Sequence, residues 1–302
     1  MQTATLFLVM LLSINSISSE NSCDKMGTLI YEDIGCTAIN IEGQTCPERF
    51  RCDFTKLNAS SCLFKGKEYF DGEAIEEHLA EASCNVRCTC KNGTFGCHPR
   101  GLCRKTFEPN AIFCYSKRQL GMCCPTEVVC PPFAHDAFQC QVDGERYNVG
   151  EEFTPKNTCL ICICRENFTG EFDEVSCARQ NCAAQLHETN AIEQGCAPAY
   201  FQPAPSDLFY VPPNKVGYVA VYKKFLNTDT LCCPDDWICP QPLDNVTVIE
   251  NERGIYSDLE CKYGNKTFKF GEGFKQRIYR YRKSRHMKCE CLLPPLLTCK
   301  EQ

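Results

Sequence analysis

The sequence predicts a small disulfide-rich fold, built from tandem modules of short antiparallel β-hairpins and irregular disulfide-knotted parts in an elongated chain. The 302 residues contain 28 cysteines, an even number. The cysteines recur in one order, in which an isolated cysteine is followed by Cys-x-Cys and then by Cys-Cys-Pro and a final cysteine. Units of this size bury little apolar surface, so the order indicates repeated modules held together by disulfides.

Two stretches of the chain carry the complete order, with ten cysteines each. They define a first module at residues 62–130 and a second module at residues 140–239, the latter with a long insert at 197–231. Adjacent cysteines have diverging side chains, so each Cys-Cys-Pro is expected to connect two different strands. The possible pairings are too many for the spacing to reveal the connectivity. The expected disulfide-forming residues are Cys62, Cys84, Cys88, Cys90, Cys97, Cys103, Cys114, Cys123, Cys124, Cys130, Cys140, Cys159, Cys162, Cys164, Cys177, Cys182, Cys196, Cys232, Cys233 and Cys239.

Each end of the chain holds half of the repeated order. Residues 23–52 resemble the closing half of a module, and residues 261–299 resemble the opening half. Each half has four cysteines and can pair its own thiols. One hypothesis is that the halves complement one another, within one chain or between chains, and the alternative is that module loss left them behind. The cysteines are Cys23, Cys36, Cys46 and Cys52 in the first half and Cys261, Cys289, Cys291 and Cys299 in the second.

The three opening halves share more than their cysteines. In each, an aromatic residue lies seven positions after the first cysteine, a glycine ten positions after it and a glutamate eleven. Aromatic residues flanked by glycine predict short strands with turns, and each glycine is expected to need a positive φ. The sets are Cys62, Tyr69, Gly72 and Glu73; Cys140, Tyr147, Gly150 and Glu151; and Cys261, Phe268, Gly271 and Glu272.

Two local features distinguish the first module. The dipeptide Asn92-Gly93 lies between cysteine-bearing runs and predicts a hairpin with a type I′ turn, because both residues accept a positive φ. Residues 72–83 are typical of a short helix, with Ile75 and Leu79 one turn apart.

The segments between the modules contain several prolines. These linkers lie at residues 131–139 and 240–260. Proline-containing linkers are semi-rigid spacers, so the modules are expected to follow one another like beads on a string.

The amino-terminal residues indicate secretion. Residues 4–12 form an apolar run too short to cross a bilayer, and Ser16-Ile17-Ser18 fits a cleavage site, so residues 1–18 are expected to be a signal peptide. The alternative is a buried N-terminal strand. The cysteine content demands an oxidising compartment, and no later apolar run could anchor the chain, so the expected product is extracellular. Five glycosylation sequons agree with this, at Asn58, Asn92, Asn167, Asn245 and Asn265.

Charge and motifs argue against several other classes of protein. The formal net charge of −6 is modest and does not favour nucleic-acid binding. A cytosolic zinc protein is the competing account of Cys159, Cys162 and Cys164, but the spacing is not that of a zinc finger. The five histidines are scattered, and no hydrolase, metalloprotease or phosphate-binding motif occurs. The sequence therefore predicts no catalytic residues, metal site or cofactor.

The repeated pattern resembles a known extracellular module. Cys-x3-Gly-x2-Tyr-x2-Gly-Glu, followed by Cys-x-Cys and Cys-Cys-Pro-x4-Cys, is similar to the von Willebrand factor type C (VWC) module found in chordin, kielin and crossveinless-type arrays. The resemblance covers both full modules and part of residues 261–299. VWC modules usually have tryptophan soon after Gly-Glu, where this chain has Phe153 and Phe274. The resemblance implies a small antiparallel sheet followed by a knotted part, and extracellular ligand binding.

The insert of the second module is one candidate binding surface. It is rich in aromatic residues, which either anchor an interface or pack the insert onto its own module. These residues are Tyr200, Phe201, Phe209, Tyr210, Tyr218, Tyr222 and Phe225.

A basic run near the C-terminus is a candidate heparan sulfate site, because clustered cations attract sulfate groups. Arg280, Arg282 and Lys288 are expected to share one strand face, and the alternative is a solvated loop. The stretch Arg282-Lys-Ser-Arg285 also fits a minimal furin-type cleavage pattern. The run comprises Lys275, Arg277, Arg280, Arg282, Lys283, Arg285 and Lys288.

Two functional classes remain. The first is a secreted modulator that binds growth factors of the bone morphogenetic protein (BMP) or transforming growth factor-β (TGF-β) type, which the VWC resemblance implies. The second is an extracellular-matrix protein in which the modules are spacers. A disulfide-rich protease inhibitor is a weaker third option, because no exposed reactive loop is evident.

Overall fold

The structure is a computed structural model that describes residues 23–53, 60–81, 83–99, 103, 114–130, 138–201, 230–241, 247–249, 258–280 and 283–302. The predicted signal peptide, Asn58, Asn245, Arg282 and most of the insert, including Phe209, Tyr210, Tyr218, Tyr222 and Phe225, lie outside the described residues. Within the described part of the chain, no helix is long and apolar enough to cross a membrane.

The described residues form short strands and a few short helices, as the disulfide-rich fold class predicts. The N-terminal segment and the first module contain α1 (Leu29–Asp33), β1 (Thr37–Ile39), β2 (Arg49–Arg51), β3 (Cys62–Phe64), β4 (Lys67–Tyr69), α2 (Glu77–Glu81), β5 (Asn85–Lys91), β6 (Thr94–Pro99), β7 (Tyr115–Lys117) and β8 (Glu127–Val129).

The second module and the C-terminal segment continue the pattern with longer strands at the end. They contain β9 (Gln139–Val142), β10 (Glu145–Asn148), β11 (Glu152–Phe153), β12 (Leu160–Ile163), β13 (Cys177–Arg179), α3 (Ala184–His187), α4 (Thr189–Glu193), β14 (Ala197–Tyr200), β15 (Asp236–Ile238), β16 (Thr247–Ile249), β17 (Glu260–Tyr263), β18 (Lys266–Lys269), β19 (Gly273–Arg280), β20 (Lys283–Leu293) and β21 (Leu296–Glu301).

All 28 cysteines are paired, and both full modules use the same connectivity. Counting the ten cysteines of a module in order, the bonds are 1–4, 2–8, 3–5, 6–9 and 7–10. The neighbouring cysteines of each Cys-Cys-Pro do connect different parts of the module. The bonds are Cys62–Cys90, Cys84–Cys123, Cys88–Cys97, Cys103–Cys124 and Cys114–Cys130 in the first module, and Cys140–Cys164, Cys159–Cys232, Cys162–Cys177, Cys182–Cys233 and Cys196–Cys239 in the second.

The terminal halves pair their cysteines internally. The N-terminal segment contains bonds 6–9 and 7–10 of the common order, and the C-terminal segment contains bonds 1–4 and 3–5. Neither half has a counterpart of bond 2–8, which in the full modules joins the opening half to the closing half. The bonds are Cys23–Cys46, Cys36–Cys52, Cys261–Cys291 and Cys289–Cys299.

One hydrogen-bonded frame recurs in all three opening halves. The first cysteine lies opposite the predicted aromatic residue in a two-stranded hairpin, as Cys62 does opposite Tyr69. The next glycine has the predicted positive φ, +87° at Gly72, and its N–H binds the carbonyl of the fourth cysteine. The carboxylate of the following glutamate accepts a backbone N–H three residues earlier, as Glu73 does from Phe70 at 2.7 Å. The same set occurs at Gly150, Glu151, Gly271 and Glu272.

The residue two positions after each of these glutamates fills the centre of its opening half. Phe153 and Phe274 are 1% and 0% exposed, so they occupy the place at which the VWC resemblance expects tryptophan. Ile75 holds the corresponding place in the first module and is 5% exposed. The predicted helix of this module is confirmed as α2, which is shorter than the predicted run.

The turn between β5 and β6 has the geometry that the sequence predicts. Asn92 and Gly93 have φ values of +51° and +80°, as a type I′ turn requires. The strands on either side are paired, with Lys91 opposite Thr94.

Each closing half packs on the opening half that follows it in the chain. An added Cβ on Gly35 would lie 2.7 Å from the backbone nitrogen of Gly66, so only glycine fits this approach. Gly195 packs in the same way on Gly264, whose N–H binds the Gly195 carbonyl at 3.0 Å. The side chain of Lys117 lies against Gly150 at the middle junction.

The modules also contact one another away from these junctions. Helices α3 and α4 of the second module lie against β6 of the first, and Gln185 accepts the N–H of Lys65 at 2.7 Å. Strand β14 pairs in parallel with β21, which makes the second module part of the eight-stranded sheet of the C-terminal segment. The expectation of separate beads joined by spacers is therefore wrong for the described parts.

The N-terminal segment packs its helix α1 and Phe50 against the second module and the C-terminal segment. The Tyr31 hydroxyl donates to the carbonyl of Leu293 at 2.6 Å and accepts the N–H of Leu296 at 3.2 Å. The Phe50 N–H binds the carbonyl of Pro294 at 2.8 Å, and the Phe50 ring stacks on Tyr31. The two terminal halves thus meet within one chain, as one form of the complementation hypothesis predicts.

A buried ion pair fastens the same segment to the second module. The guanidinium of Arg179 binds Asp24 at 2.8 Å and Glu32 at 2.7 Å, and the Asp24 side chain is fully buried. Asp24 also accepts the N–H of Cys159 at 2.6 Å. Because buried charges are costly when one partner is lost, these contacts favour a single docked position.

Replacement of Tyr31 by phenylalanine is expected to lower the free energy of unfolding by about 1–3 kcal/mol, because it leaves buried backbone groups without their partner. Trp237, the only tryptophan, belongs to the same apolar cluster and reports denaturant unfolding by fluorescence, with disulfides intact. Tyr279→Phe is the control, since Tyr279 is 73% exposed and should leave stability unchanged. Equal stability of the Tyr31 variant and the parent would show that the terminal halves do not depend on this contact.

Candidate functional site

The predicted basic run lies on the long hairpin of β19 and β20. Strand β20 pairs with β19 on one side and with β21 on the other. Arg280 lies opposite Lys283, Arg277 opposite His286, and Lys275 opposite Lys288. The described basic residues are therefore on a regular sheet rather than in a solvated loop.

The hairpin divides the basic residues between the two faces of the sheet. Directly opposed residues share a face, and side chains alternate along each strand. Lys275, Arg277 and Lys288 lie on one face, whereas Arg280, Lys283 and Arg285 lie on the other. The expectation that Arg280 and Lys288 share a face is wrong, because this register places an even-numbered residue of β19 opposite an odd-numbered residue of β20.

The basic side chains on the face with Arg285 form contacts within the protein. The Arg285 side chain is 5% exposed, binds Glu301 at 2.6 Å, and places its guanidinium carbon 4.9 Å from the ring centre of Phe201. Arg280 forms an ion pair with Asp236 at 2.5 Å. These cations hold the second module to the C-terminal sheet.

Asp235 lies next to this contact and is partly desolvated. Burial raises the pKa of its carboxyl group above the usual value, while the N–H of Phe201 and the charge of Arg285 act in the opposite direction. The carboxylate accepts the Phe201 N–H at 2.8 Å, so its role is to position the start of the insert.

The opposite face carries the exposed cations, and we call it the basic face. It consists of Lys275, Arg277, Lys288 and Lys300, and Lys300 lies opposite Lys288 in β21. Lys288 is half-buried and binds Glu290 at 2.9 Å, whereas Lys275 and Arg277 are exposed. Lys300 was not part of the predicted run, because its place beside Lys288 depends on the pairing of β20 with β21.

The structure also shows the positions of two aromatic residues of the insert and of three glycosylation sequons. Tyr200 is buried and Phe201 half-buried, so these two aromatics of the insert pack inward. Asn92, Asn167 and Asn265 are exposed, as glycan attachment requires. Their occupancy stays a prediction.

Three sulfur atoms come close enough together to suggest a metal site. Those of Cys103, Cys123 and Cys124 lie within 4.8 Å of one another. Each belongs to a disulfide, so none is the thiolate that a metal ion needs. The proximity follows from two adjacent bonds of the knotted part.

The chain is similar to CCN family member 2 of several mammals. It is 24% identical over 199 residues to the protein of Sus scrofa, 24% over 198 residues to that of Mus musculus, and 27% over 198 residues to that of Homo sapiens. Each match covers 58% of this chain, and the chain spans about half the length of these curated relatives, 49%. No protein-family model and no solved structure matches it.

These matches support a coarse classification. The chain is weakly similar to a CCN family member and has the disulfide-rich β fold that the sequence predicts. Nothing in the matches links it to chordin, kielin or crossveinless-type arrays in particular. The disulfide-rich β fold agrees with an extracellular, oxidising location.

Furin is expected to leave the native protein uncut after Arg285, because a protease needs an accessible extended segment and this residue is buried in a central strand. The reduced and alkylated chain should be cut at the same bond. Mass spectrometry of both digests tests this. A native digest that ends at Arg285 would contradict the position of β20 between β19 and β21.

Proposed function

We propose that the protein is a secreted binding protein that modulates growth factors of the BMP or TGF-β type through its VWC modules, without catalysis, metal or cofactor. The similarity to CCN family member 2 and the disulfide-rich fold support an extracellular regulatory role. The proposal includes the module boundaries, with partial modules at 23–52 and 261–299 and full modules at 62–130 and 140–239.

The observation that carries the proposal is the repeated frame of the opening halves. The same backbone hydrogen bonds around Gly72, Gly150 and Gly271 support three small sheets whose outward residues differ. A rigid scaffold that presents variable exposed residues is a common basis for ligand binding.

The outer face of the second module suits a protein ligand. Ile161 and Ala178 lie opposite one another across β12 and β13, on the face away from the buried Cys162. Ala178 is exposed and Ile161 half-buried. A small apolar surface of this kind is typical of the centre of a protein–protein interface.

An alternative function is that of an extracellular-matrix spacer without growth-factor binding. The direct packing of each closing half on the next opening half favours it, because such packing makes a stiff connection between modules. The two functions differ in whether a soluble ligand binds.

Binding to immobilised BMP and TGF-β-type growth factors separates these functions. The parent is expected to bind at least one factor at micromolar concentration or below, and Ala178→Arg should weaken that binding about tenfold or more, since it places a charge in an apolar contact. Val248→Arg is the control, because Val248 is exposed on the C-terminal sheet. Failure of the parent to bind any factor would support the matrix function instead.

We also propose that the basic face binds heparan sulfate. Lys275 and Arg277 lie two positions apart on one strand and project on the same side, which suits a linear chain of sulfate groups. Chromatography on heparin in rising salt tests this. The parent is expected to elute above physiological ionic strength, about 0.15 M.

The double variant Lys275→Ser, Arg277→Ser is expected to elute at lower salt than the parent. Lys266→Ser, Lys269→Ser removes the same charge from exposed positions of strand β18 and should shift elution less. Equal shifts would mean that net charge, rather than the basic face, governs retention. Elution of the parent at or below physiological salt would reject a role in sulfate binding.

A further inference from the structure

A shallow groove crosses the outer face of the β5–β6 sheet in the first module. Its volume is about 330 Å³, and Arg87, Lys91, His98 and Asp71 line it around Gly96. The four polar side chains are exposed. The groove lies apart from the basic face, which belongs to the C-terminal segment.

Neither backbone geometry nor packing explains the glycine beneath this groove. Gly96 is not among the glycines with positive φ, and the nearest atom to an added Cβ would be the Thr89 carbonyl oxygen at 3.9 Å. The corresponding residues before Cys177 and Cys299 are Ser176 and Thr298, so a side chain is tolerated at this point of the frame. The effect of Gly96 is to keep the groove open.

The backbone beside the groove is irregular at Arg87. The pairing of β5 with β6 shifts between Val86 and Thr89, and Arg87 has a φ of +52°, which is uncommon for a residue with a side chain. Such bulges redirect side chains and occur next to functional sites. The corresponding residues of the other opening halves, Ile161 and Lys288, are not among the described residues with positive φ.

The groove offers the donors that a sulfate group needs. The guanidinium of Arg87 presents a planar pair of N–H donors, Lys91 contributes an ammonium group, and His98 contributes an imidazole N–H. Asp71 is the acid in the lining, and one of its oxygens already accepts the N–H of Asn92 at 2.7 Å. The positive charges of Arg87 and Lys91 outnumber this single carboxylate.

The lining favours a carbohydrate polyanion over a protein. Protein interfaces depend on large aromatic and aliphatic anchors, and the described lining of the groove contains no Phe, Tyr, Trp, Leu, Ile, Val or Met side chain. The second module has Ile161 and Ala178 in place of Arg87 and His98, and it keeps a cation, Arg165, in place of Lys91. The second module therefore lacks two of the three donors that line the groove of the first.

We propose that this groove is a second binding site for sulfated polysaccharide, in which one sulfate group lies over Gly96 between Arg87, Lys91 and His98. The site is distinct from the growth-factor surface and from the basic face. It stands even if those proposals fail, because its residues belong to a different module.

A charge-neutral substitution provides the sharpest test. In the Lys275→Ser, Arg277→Ser background, binding of a heparin-derived hexasaccharide is measured by calorimetry. Gly96→Val fills the groove without changing the net charge and is expected to weaken binding about tenfold or more, as loss of hydrogen bonds to a charged group does. Ala38→Val places the same side chain on the exposed strand β1 of the N-terminal segment and should leave the affinity unchanged.

A second variant keeps the test valid if Gly96→Val folds poorly. Arg87→Asn removes the guanidinium, while asparagine tolerates the positive φ, and a tenfold loss is again expected. Peptide mapping of the fourteen disulfides confirms folding of each variant. Unchanged affinity in the correctly folded variants would overturn the proposal.

Two further probes identify the ligand chemistry. A chemically desulfated hexasaccharide is expected to bind at least tenfold more weakly than the sulfated form, since carboxylates alone do not match the tetrahedral group. A polyglutamate peptide of equal charge should also bind more weakly. Equal binding of the peptide would assign the groove to an acidic protein and reject the polysaccharide.

Discussion

Disulfides and packing contacts join different pairs of half modules, and this offset governs the rest of the structure. Bonds Cys84–Cys123 and Cys159–Cys232 join the opening half of each full module to its own closing half. Packing instead joins each closing half to the next opening half, as at Gly195 and Gly264. Because the two kinds of contact alternate along the chain, neighbouring modules are held in a fixed relation although each has only a small core.

This offset also explains how the terminal halves are stabilised. They lack the cysteines of the joining bond, and Thr45 stands where the N-terminal segment would have one, directly before Cys46. Their attachment therefore depends on buried non-covalent contacts, which Tyr31 and Arg179 provide. A half that appears incomplete in the sequence is thus a complete packing partner in the fold.

The proposed binding functions are distributed over the outward faces of the opening halves. The buried side of each small sheet contains disulfides and an aromatic or aliphatic residue, such as Phe274, and does not vary in role. The outward side differs, with donors around Gly96 in the first module, apolar residues at Ile161 and Ala178 in the second, and cations in the C-terminal segment. One scaffold therefore suits both a protein ligand and an anionic polysaccharide.

The sequence by itself determined the order of the cysteines and the local frame, because the positive φ of Gly72 and the turn at Asn92 depend on residues close together in the chain. The pairing of the cysteines was decided by the folded structure. The alternation of side chains along one strand is also local. Whether Arg280 lies on the same face as Lys288 depends on the register between β19 and β20, which only the folded hairpin decides. The contact of Tyr31 with Leu293 and the groove over Gly96 were equally beyond the sequence. Both features form where segments distant in the sequence, or two paired strands, come into contact. The spacing of residues in the sequence does not specify which segments will meet.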